Sequence, residues 1–354
     1  MDGSNPMGSL AEPASVAPLT PADRADWAAF LDAHPEGTPF HSLAWCDAVR
    51  ESLGHDTPSL IARRGGAVVG ILPLVHVKTR LFGNNLVSTG FAVGGGILAD
   101  DDAAAKALAD AATDLAAERR VDCLELRSAS ARFDGWPTKS ETYAGYSAPL
   151  LADADERLKA VPRKKRADIR KGIAADFTVD TGATPATFHD LYARNLHALG
   201  TPILPRHWYG ALKRHFGDAC EISAVIIGDR PVVSLLSFYW GDTVYPYYVG
   251  ALPEARRLHA FDYVYWSLME RAAERGIARF DFGRSKIGTG AADYKKHWGF
   301  EGVPLEYQYR LIGASEMPDV NPNNPKYARF VKWWKRMPLG ATKLAGPFLA
   351  RQLG

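Results

Sequence analysis

Two patterns occur twice in this chain, in the same order, and they constrain its fold more than any other feature. The first is a polar turn followed by an apolar strand, at 64–72 and again at 228–236. The second is a helix end that leads into a strand, at 118–126 and again at 274–282. The copies lie 164 residues apart (64 to 228) and 156 residues apart (118 to 274), a difference that loop insertions would leave. The repetition predicts two tandem copies of one α/β unit.

Hydrophobic periodicity predicts a similar order of elements in both halves: strands, a helix and a further strand. In the first half the strands are predicted at 59–64, 67–77, 86–89 and 121–126, with a helix at 102–119. In the second half the strands are predicted at 221–227, 232–240, 243–250, 279–282 and 303–311, with helices at 187–199 and 262–275. This order indicates an α/β protein with mixed, mainly antiparallel sheets and flanking helices.

The length of 354 residues favours two domains. We expect the first at 21–150 and the second at 151–312. Residues 1–20 are rich in Ala, Pro, Ser and Gly, which predicts a disordered lead-in. Residues 313–354 are predicted to be a basic amphipathic tail.

Composition limits the classes of protein and of site. No run approaches eighteen apolar residues, and no basic start leads into an apolar run, so a cytoplasmic protein is predicted. The three cysteines show no CxxC spacing and the ten histidines no HxxxH spacing, so no metal site is expected. A net charge of +2 does not indicate an evenly basic protein that binds nucleic acid.

A basic cluster begins the second half, where 162–171 carries six Lys or Arg residues and one acid. Arg163, Arg166 and Arg170 are spaced to share one helix face, and Pro162 suits the helix start. Such a face fits a nucleotide diphosphate, a polyprenyl diphosphate or a tRNA backbone. The alternative is a solvated basic surface.

The tail carries a second basic segment, since 326–354 contains seven Lys or Arg residues and no acid. Helical spacing over 326–337 predicts an apolar face of Tyr327, Phe330, Val331 and Trp334, and a basic face of Arg329, Lys332 and Arg336. This helix either contacts an anionic membrane surface or packs back on the core through Trp333 and Trp334.

The segment 280–300 is the strongest candidate for a binding site. It reads as a buried strand, a loop of Gly, Ser and Thr, and an aromatic-lysine turn. Arg284 and Lys286 follow the strand end and are suited to hold a phosphate or carboxylate of a substrate. The alternative for Arg284 is a structural ion pair with Asp281.

These motifs resemble, in their order, the FemAB/FemX family of acyltransferases, which consist of two tandem GNAT-like domains. The resemblance spans residues 38–312 and rests on the Asp-Phe-Gly strand at 281–283, the aromatic-Lys-x-x-aromatic-Gly pattern at 294–299 and the basic helix at 163–172. The sequences Asp-Phe-Gly-Arg-Ser and Lys-Lys-His-Trp-Gly are most similar to FemAB-like proteins associated with PEP-CTERM/exosortase systems.

The resemblance implies transfer of an aminoacyl or acyl group to an amine of a cell-envelope peptide or glycan precursor, without a tightly bound cofactor. Lys295 matches the lysine of the family motif, which implies that it stabilises the oxyanion of acyl transfer. Asp281, Tyr248 and His297 are candidates for the general base. Each also has a structural interpretation: a strand-end partner, a core residue and an exposed turn residue.

The acyl donor is left open between aminoacyl-tRNA and acyl-CoA. GNAT enzymes that use acetyl-CoA usually hold its diphosphate with a glycine-rich loop after the meander. Residues 254–260 lack glycine, although Arg256, Arg257 and His259 could supply charge. The acceptor is expected to be linked to a nucleotide or lipid diphosphate.

Two alternative functions are an acyl-CoA-dependent N-acyltransferase acting on an exopolysaccharide sugar and a non-catalytic precursor-binding protein of a PEP-CTERM/exosortase export system. The expected location is the cytoplasm, with peripheral contact at the inner membrane if the tail binds lipid.

Overall fold

The computed structural model describes residues 12–79, 83–317 and 325–352. Its strands are β1 Ser15–Pro18, β2 Leu60–Arg64, β3 Ala67–Leu72, β4 Val75–Lys78, β5 Asn84–Ser88, β6 Leu98–Ala99, β7 Cys123–Leu126, β8 Thr138–Lys139, β9 Tyr143–Pro149, β10 Thr178–Asp180, β11 Cys220–Ile227, β12 Arg230–Trp240, β13 Thr243–Ala251, β14 Arg279–Lys286, β15 Val303–Pro304 and β16 Tyr307–Leu311. Its α-helices are α1 Arg24–Ala33, α2 Leu43–Leu53, α3 Asp102–Glu118, α4 Ala154–Ala160, α5 Arg163–Ala174, α6 Pro185–Leu199, α7 Arg206–Phe216, α8 Glu254–Arg257, α9 Ala260–Glu274, α10 Gly290–His297, α11 Pro325–Trp334 and α12 Leu339–Ala350. Short 3₁₀ turns lie at Pro21–Asp23, Pro39–His41 and Gly217–Ala219.

The second half is built on one seven-stranded sheet, in the order β10-β11-β12-β13-β14-β9-β15. β11, β12 and β13 form the predicted antiparallel meander, and β13 pairs with β14 in parallel. The parallel pair is connected by α9, whose Val264 and Leu268 are fully buried in the core beneath the sheet. The predicted order of elements is therefore present in this half.

The first half repeats this arrangement in two smaller sheets, β1-β2-β3-β6 and β4-β5-β7-β16-β8. The hairpin β2–β3 corresponds to β11–β12, and α3 followed by β7 corresponds to α9 followed by β14. β5 and β7 pair in parallel, as β13 and β14 do. The prediction of a tandem α/β fold with mixed, mainly antiparallel sheets is confirmed.

Each half contributes one strand to a sheet of the other. β9, which ends before residue 150, lies between β14 and β15. β16, which follows the second-half elements, lies between β7 and β8. The predicted boundary near residue 150 therefore separates the two halves in sequence, but one sheet of each half contains a strand from the other half.

A shared core also joins the two halves. Trp45 of α2 is fully buried, and its ring centre lies 5.3 Å from that of Trp208 on α7. Trp45 Nε1 donates a 3.0 Å hydrogen bond to the Gly90 carbonyl. Aromatic pairs of this kind add to the free energy already gained by burial. The contact between the two halves is therefore stabilised by the same interactions as the interior of a protein.

Several predicted elements differ from the structure. β1 pairs with β2, so part of the predicted disordered lead-in is a strand, while residues 1–11 lie outside the described residues. The predicted strand 67–77 is divided at Pro73, which has no N–H to donate to a ladder. The predicted strand 303–311 is divided between β15 and β16, which join different sheets. The predicted aromatic-lysine turn is the helix α10, which Thr289 caps.

The C-terminal helices pack against the second half. Trp334 is buried, whereas Trp333 is 56% exposed. Lys343 on α12 forms a 2.6 Å ion pair with Asp190 on α6. Of the two predicted roles for the tail, packing on the core is present for Trp334 and not for Trp333. Within the described residues no helix is both long enough and apolar enough to span a membrane.

Candidate active site

The two halves differ at their central parallel pair of strands. In the first half, β5 and β7 stay paired from Asn85–Cys123 to Ser88–Leu126. In the second half, β13 and β14 pair only at Thr243–Arg279 and Val244–Phe280, although they contain nine and eight residues. Beyond that point β13 stays with β12 and β14 stays with β9. The two strands therefore diverge from each other in the middle of the second sheet.

β14 carries a β-bulge just after this separation, between Asp281 and Arg284. Gly283 in the bulge has a φ of 65°, a left-handed conformation that favours glycine. Its N–H donates a 2.6 Å hydrogen bond to the Asp281 carboxylate. The carbonyl groups of Gly283 and Arg284 both accept hydrogen bonds from a side chain of α10.

That side chain is Lys295, which is only 9% exposed. Its Nζ donates to the carbonyl oxygens of Gly283 and Arg284, each at 2.9 Å, and lies 5.2 Å from the centre of the Tyr146 ring. Burial lowers the pKa of Lys295 from 10.5 to about 7, although the charge of Asp281 acts to raise it. An ammonium group has three N–H donors, and the described residues show carbonyl acceptors for two of them.

Asp281 binds the backbone of the bulge and acts to raise the pKa of Lys295. Burial raises the pKa of Asp281, while its bond from the Gly283 N–H and the Lys295 charge act to lower it. Among the described residues no ion pair joins Asp281 to Arg284, the alternative that the sequence left open. Asp281 therefore acts on Lys295 electrostatically and through the backbone of the bulge.

Arg284 contacts residues from beyond its own strand. Its Nη1 donates a 2.8 Å hydrogen bond to the Tyr307 hydroxyl, and its guanidinium lies 4.3 Å from the centre of the Tyr143 ring. The Tyr307 hydroxyl donates to the Val93 carbonyl of the first half at 3.3 Å. Arg284 thus places a permanent positive charge next to the first half of the chain.

β13 forms the opposite side of the separation and has a bulge of its own at Tyr247. The Tyr247 hydroxyl donates to the Phe91 carbonyl of the first half at 3.2 Å. Tyr248 packs near Phe188 and Tyr192, with ring centres 6.4 and 5.5 Å away. Burial raises the pKa of Tyr248 well above its ordinary value, so its hydroxyl stays protonated at neutral pH. This favours the core interpretation of Tyr248 over a general base.

The remaining predicted residues are less enclosed. Exposed side chains include Arg163, Arg170, Arg257 and His297. Arg166 instead donates from Nε and Nη2 to the Val161 carbonyl, at 3.2 and 3.0 Å. Lys286 is half-buried at the end of β14, where its carbonyl accepts from Thr289 Oγ1 at 2.7 Å. The three arginines of α5 therefore do not form one binding face, because the Arg166 guanidinium is bound to the Val161 carbonyl just before the helix.

Lys165, which the sequence presents only as one of six basic residues, points inward. Its Nζ donates at 2.7 Å to Asp262 Oδ1, which also accepts at 2.7 Å from the Tyr294 hydroxyl. Its Nζ lies 4.7 Å from the centre of the Tyr294 ring. These contacts connect α5 and the start of α9 to α10, the helix that carries Lys295. The available sequence signal is that Lys165 lies one helical turn before the buried Ile169.

Arg127 is a second residue that the sequence reading missed. It is buried and forms a 2.8 Å ion pair with Glu125. Its Nη1 donates to the Ala92 carbonyl at 3.1 Å, and the neighbouring Val93 carbonyl accepts from the Tyr307 hydroxyl that Arg284 contacts. The repeat was the available signal, since an arginine follows the repeated strand in both halves: Arg127 directly, and Arg284 after Gly283.

Other kinds of chemistry have less support in this chain. All three cysteines are buried, and burial raises the pKa of each thiol to about 12. A reactive thiolate needs the opposite shift. In the described parts of the chain, no group of three or more His, Cys, Asp and Glu side chains is placed to hold a metal ion.

Comparison with known proteins bears on the fold. Residues 157–296 match a family described as "Acetyltransferase (GNAT) domain". A tandem GNAT protein from the clavulanic acid biosynthesis pathway matches with a TM-score of 0.52 and 14% identity, over 86% of this chain and 100% of that chain. The fold is a tandem GNAT fold. FemX matches with a TM-score of 0.69 and 14% identity, over 84% of this chain and 98% of its own.

A further match is the C-terminal domain (DUF2156) of a protein from Agrobacterium fabrum described as a lysylphosphatidylglycerol synthetase. Its TM-score is 0.52 at 9% identity, over 81% of this chain and 91% of that chain. Such low identities show the fold alone, and no curated protein sequence matches this chain. The predicted enzyme class, an acyltransferase, is confirmed at the level of the GNAT domain, which contains Lys165, Asp281 and Lys295.

Proposed function

We propose that this tandem GNAT protein transfers an aminoacyl or acyl group to an amine of a cell-envelope peptide or glycan precursor. The observation that carries the proposal is Lys295, a buried lysine at the separation of β13 and β14 with one N–H donor left for a substrate. Burial of a cation beside a gap between strands is costly unless the site uses it. The resemblance to FemX and the synthetase domain supports the envelope assignment.

In the proposed reaction, a neutral acceptor amine attacks the carbonyl of an activated ester or thioester. The new C–N bond forms, the bond to the donor oxygen or sulfur breaks, and the proton lost by the amine ends on that atom, which departs as an alcohol or thiol. Lys295 donates to the oxyanion, together with a backbone N–H from the bulge at Tyr247. A donor of this kind contributes about 3 kcal/mol to the transition state. Asp281 is the best placed of the three candidate bases, because Tyr248 stays protonated and His297 is exposed.

The acceptor is proposed to carry a phosphate or carboxylate that binds Arg284. Within the described chain Arg284 has no acidic partner at ion-pair distance, and its contacts are hydroxyl and aromatic groups. A half-buried guanidinium gains from pairing with an anion in a bidentate geometry. A precursor linked to a nucleotide or lipid diphosphate supplies such a group, and the basic surface of Arg163 and Arg170 suits the same chemistry.

The start of α9 bears on the acyl donor. In a GNAT enzyme that uses acyl-CoA, a diphosphate lies at such a helix start and binds backbone N–H groups. Here Asp262 places a carboxylate there, bound to Lys165 and Tyr294, and the helical turn of α8 precedes it. We therefore favour aminoacyl-tRNA over acyl-CoA. Association with a PEP-CTERM/exosortase system stays a prediction.

The test compares Lys295→Met with Lys296→Met, because the neighbouring Lys296 is exposed and offers a matched control. Acylation of a UDP-linked muramoyl peptide and of an amino sugar is measured with aminoacyl-tRNA and with acyl-CoA. We expect Lys295→Met to lower kcat/KM by about 10² to 10³, and Lys296→Met to change it by about twofold or less.

Full activity of Lys295→Met would refute the role of this lysine. Acylation by the wild type from acyl-CoA alone would favour the exopolysaccharide alternative. Binding of the UDP-linked peptide without acylation from either donor would favour the non-catalytic alternative.

A further inference from the structure

The last helix, α12, turns small residues inward and exposes two of its large apolar side chains, while Leu339 and Leu349 are half-buried. The buried positions are Thr342, Gly346 and Ala350, one helical turn apart. A Cβ on Gly346 would lie 3.0 Å from the backbone nitrogen of Ile203, so the helix approaches the second half closely. The opposite face presents apolar side chains to solvent. This is the reverse of the usual pattern for a helix that packs on a globular core.

Two of these outward residues are large. Leu344 is 85% exposed and Phe348 is 58% exposed, and they lie one turn apart on the same face. Leu344 is the most exposed large apolar side chain in the described chain. The Arg351 guanidinium lies 5.0 Å from the centre of the Phe348 ring. Neither core packing nor a partner within the described residues explains why this face is apolar.

The surroundings are strongly cationic. Residues 325–352 contain no Asp or Glu. In the described part of the tail the exposed cations are Arg329 and Lys332 on α11, Lys335 and Arg336 between the helices, and Arg351 just after α12. Trp333 on α11 is also 56% exposed, although its neighbour Trp334 is buried. An exposed tryptophan, apolar side chains and cations without acids are the features of a protein surface that binds anionic lipid.

We propose that this tail surface, formed by Trp333, Leu344, Phe348 and the five exposed cations, docks on an anionic lipid bilayer. Leu344 and Phe348 enter the acyl boundary, while the cations bind lipid headgroups. A second copy of the chain is a poorer occupant, because it would bring like charges together. The apolar face that the sequence predicted for α11 includes Trp334, which is turned inward, so apolar contact with lipid is made by Trp333 and by α12. The proposal does not depend on acyl transfer.

The test measures partition of the full chain onto vesicles of phosphatidylcholine alone and of equimolar phosphatidylcholine and phosphatidylglycerol. The wild type is expected to bind the anionic vesicles preferentially, and added salt should weaken the binding. The double variant Leu344→Ser/Phe348→Ser should bind about a hundredfold more weakly, since each side chain contributes about tenfold. Lys335→Gln/Arg336→Gln should bind about twentyfold more weakly at low salt.

The matched control is Val303→Ser, which removes an apolar side chain that is 65% exposed outside the tail. It should leave vesicle binding unchanged, and thermal unfolding should show that each variant is folded. Equal binding to both vesicle types, or wild-type binding by Leu344→Ser/Phe348→Ser, would overturn the proposal. So would a dimer in sedimentation velocity that this double variant dissociates, because the surface would then belong to a second copy.

Acylation of a soluble acceptor by Leu344→Ser/Phe348→Ser should equal that of the wild type. This result separates a failure of lipid docking from a failure of the proposed transferase activity.

Discussion

At the scale of single residues, the charge of Lys295 determines what the site can do. If its ammonium form stabilises the oxyanion, kcat/KM should fall as the pH rises through about 7, the value to which burial lowers its pKa. Deprotonation of the acceptor amine has the opposite effect on the rate. The falling limb should therefore stay at the same pH for two acceptors whose amines differ in basicity. A rate that instead rises through this range with both acceptors would contradict the role of the Lys295 ammonium form.

Asp281→Asn provides a check on the same lysine. The charge of Asp281 acts to raise the pKa of Lys295, so its removal should shift the falling limb to lower pH. An asparagine oxygen can still accept from the Gly283 N–H, so the bulge should be retained. The shift is measured in the pH profile of the remaining kcat/KM, because Asp281→Asn also removes the proposed base and lowers the rate. A limb that stays in place would show that Asp281 does not act on the charge of Lys295.

The residues of the site were only partly accessible from the sequence. Lys295, Asp281 and Arg284 could be found because they lie within one short motif, and the structure brings them together across β14 and α10. The role of Lys165 could not be predicted, because a run of six basic residues does not show which side chain turns inward. Arg127 lies in the other half and is far from Arg284 in sequence.

At the scale of elements, the site depends on the bulge in β14. Gly283→Ala places a side chain at a φ of 65°, which costs about 1 kcal/mol, although no atom lies within 4 Å of the new Cβ. Any relaxation of the bulge moves the carbonyl that holds Lys295. We therefore expect a loss of stability in urea unfolding and a larger relative loss of kcat/KM.

Gly288→Ala is the matched control for this prediction. Gly288 has a φ of 76° and also has no atom within 4 Å of the added Cβ. It lies in the turn after β14 and makes no bond to Lys295, so the variant should lose similar stability but keep its activity. Equal losses of activity in both variants would show that the bulge has no special role.

Elements in which hydrophobic residues recur with a clear helical or strand period could be predicted well. The helix α6 and the strands β11, β12 and β13 lie within two residues of the predicted ranges. Elements whose pattern depends on distant partners could not. β15 and β16 read as one strand because the side chains alternate through 303–311, yet they belong to different sheets. A period in sequence does not reveal which sheet a strand joins.

At the scale of the whole molecule, the exchange of β9 and β16 makes each half depend on the other. β7 has β5 as its parallel neighbour and β16 as its antiparallel neighbour, and these two strands lie far apart in sequence. The internal repeat predicted two similar units, but it could not show that their strands cross over. A strand supplied from the other half couples their unfolding, since one cannot open without the other losing a neighbour.

Gln308 on β16 gives a direct test of this coupling. It is 2% exposed, its Oε1 accepts from the backbone N–H groups of Arg132 and Phe133 at 2.7 and 3.0 Å, and its Nε2 donates to the Phe133 carbonyl at 2.7 Å. Gln308→Ala leaves these groups without their partner and should lower the free energy of unfolding by about 2 kcal/mol. Arg310→Ala, at an exposed position of the same strand, should change it by about 0.5 kcal/mol or less.

Hydrogen exchange distinguishes coupled from independent halves. In Gln308→Ala, amide protection should fall by the same free energy in β7 of the first half and in β14 of the second, because both sheets contain an exchanged strand. Reduced protection of β7 with unchanged protection of β14 would mean that the halves open independently. Coupled opening would also explain how the Arg284 site keeps its contacts with Tyr307 and Val93, because the sheets that carry these residues would open only together.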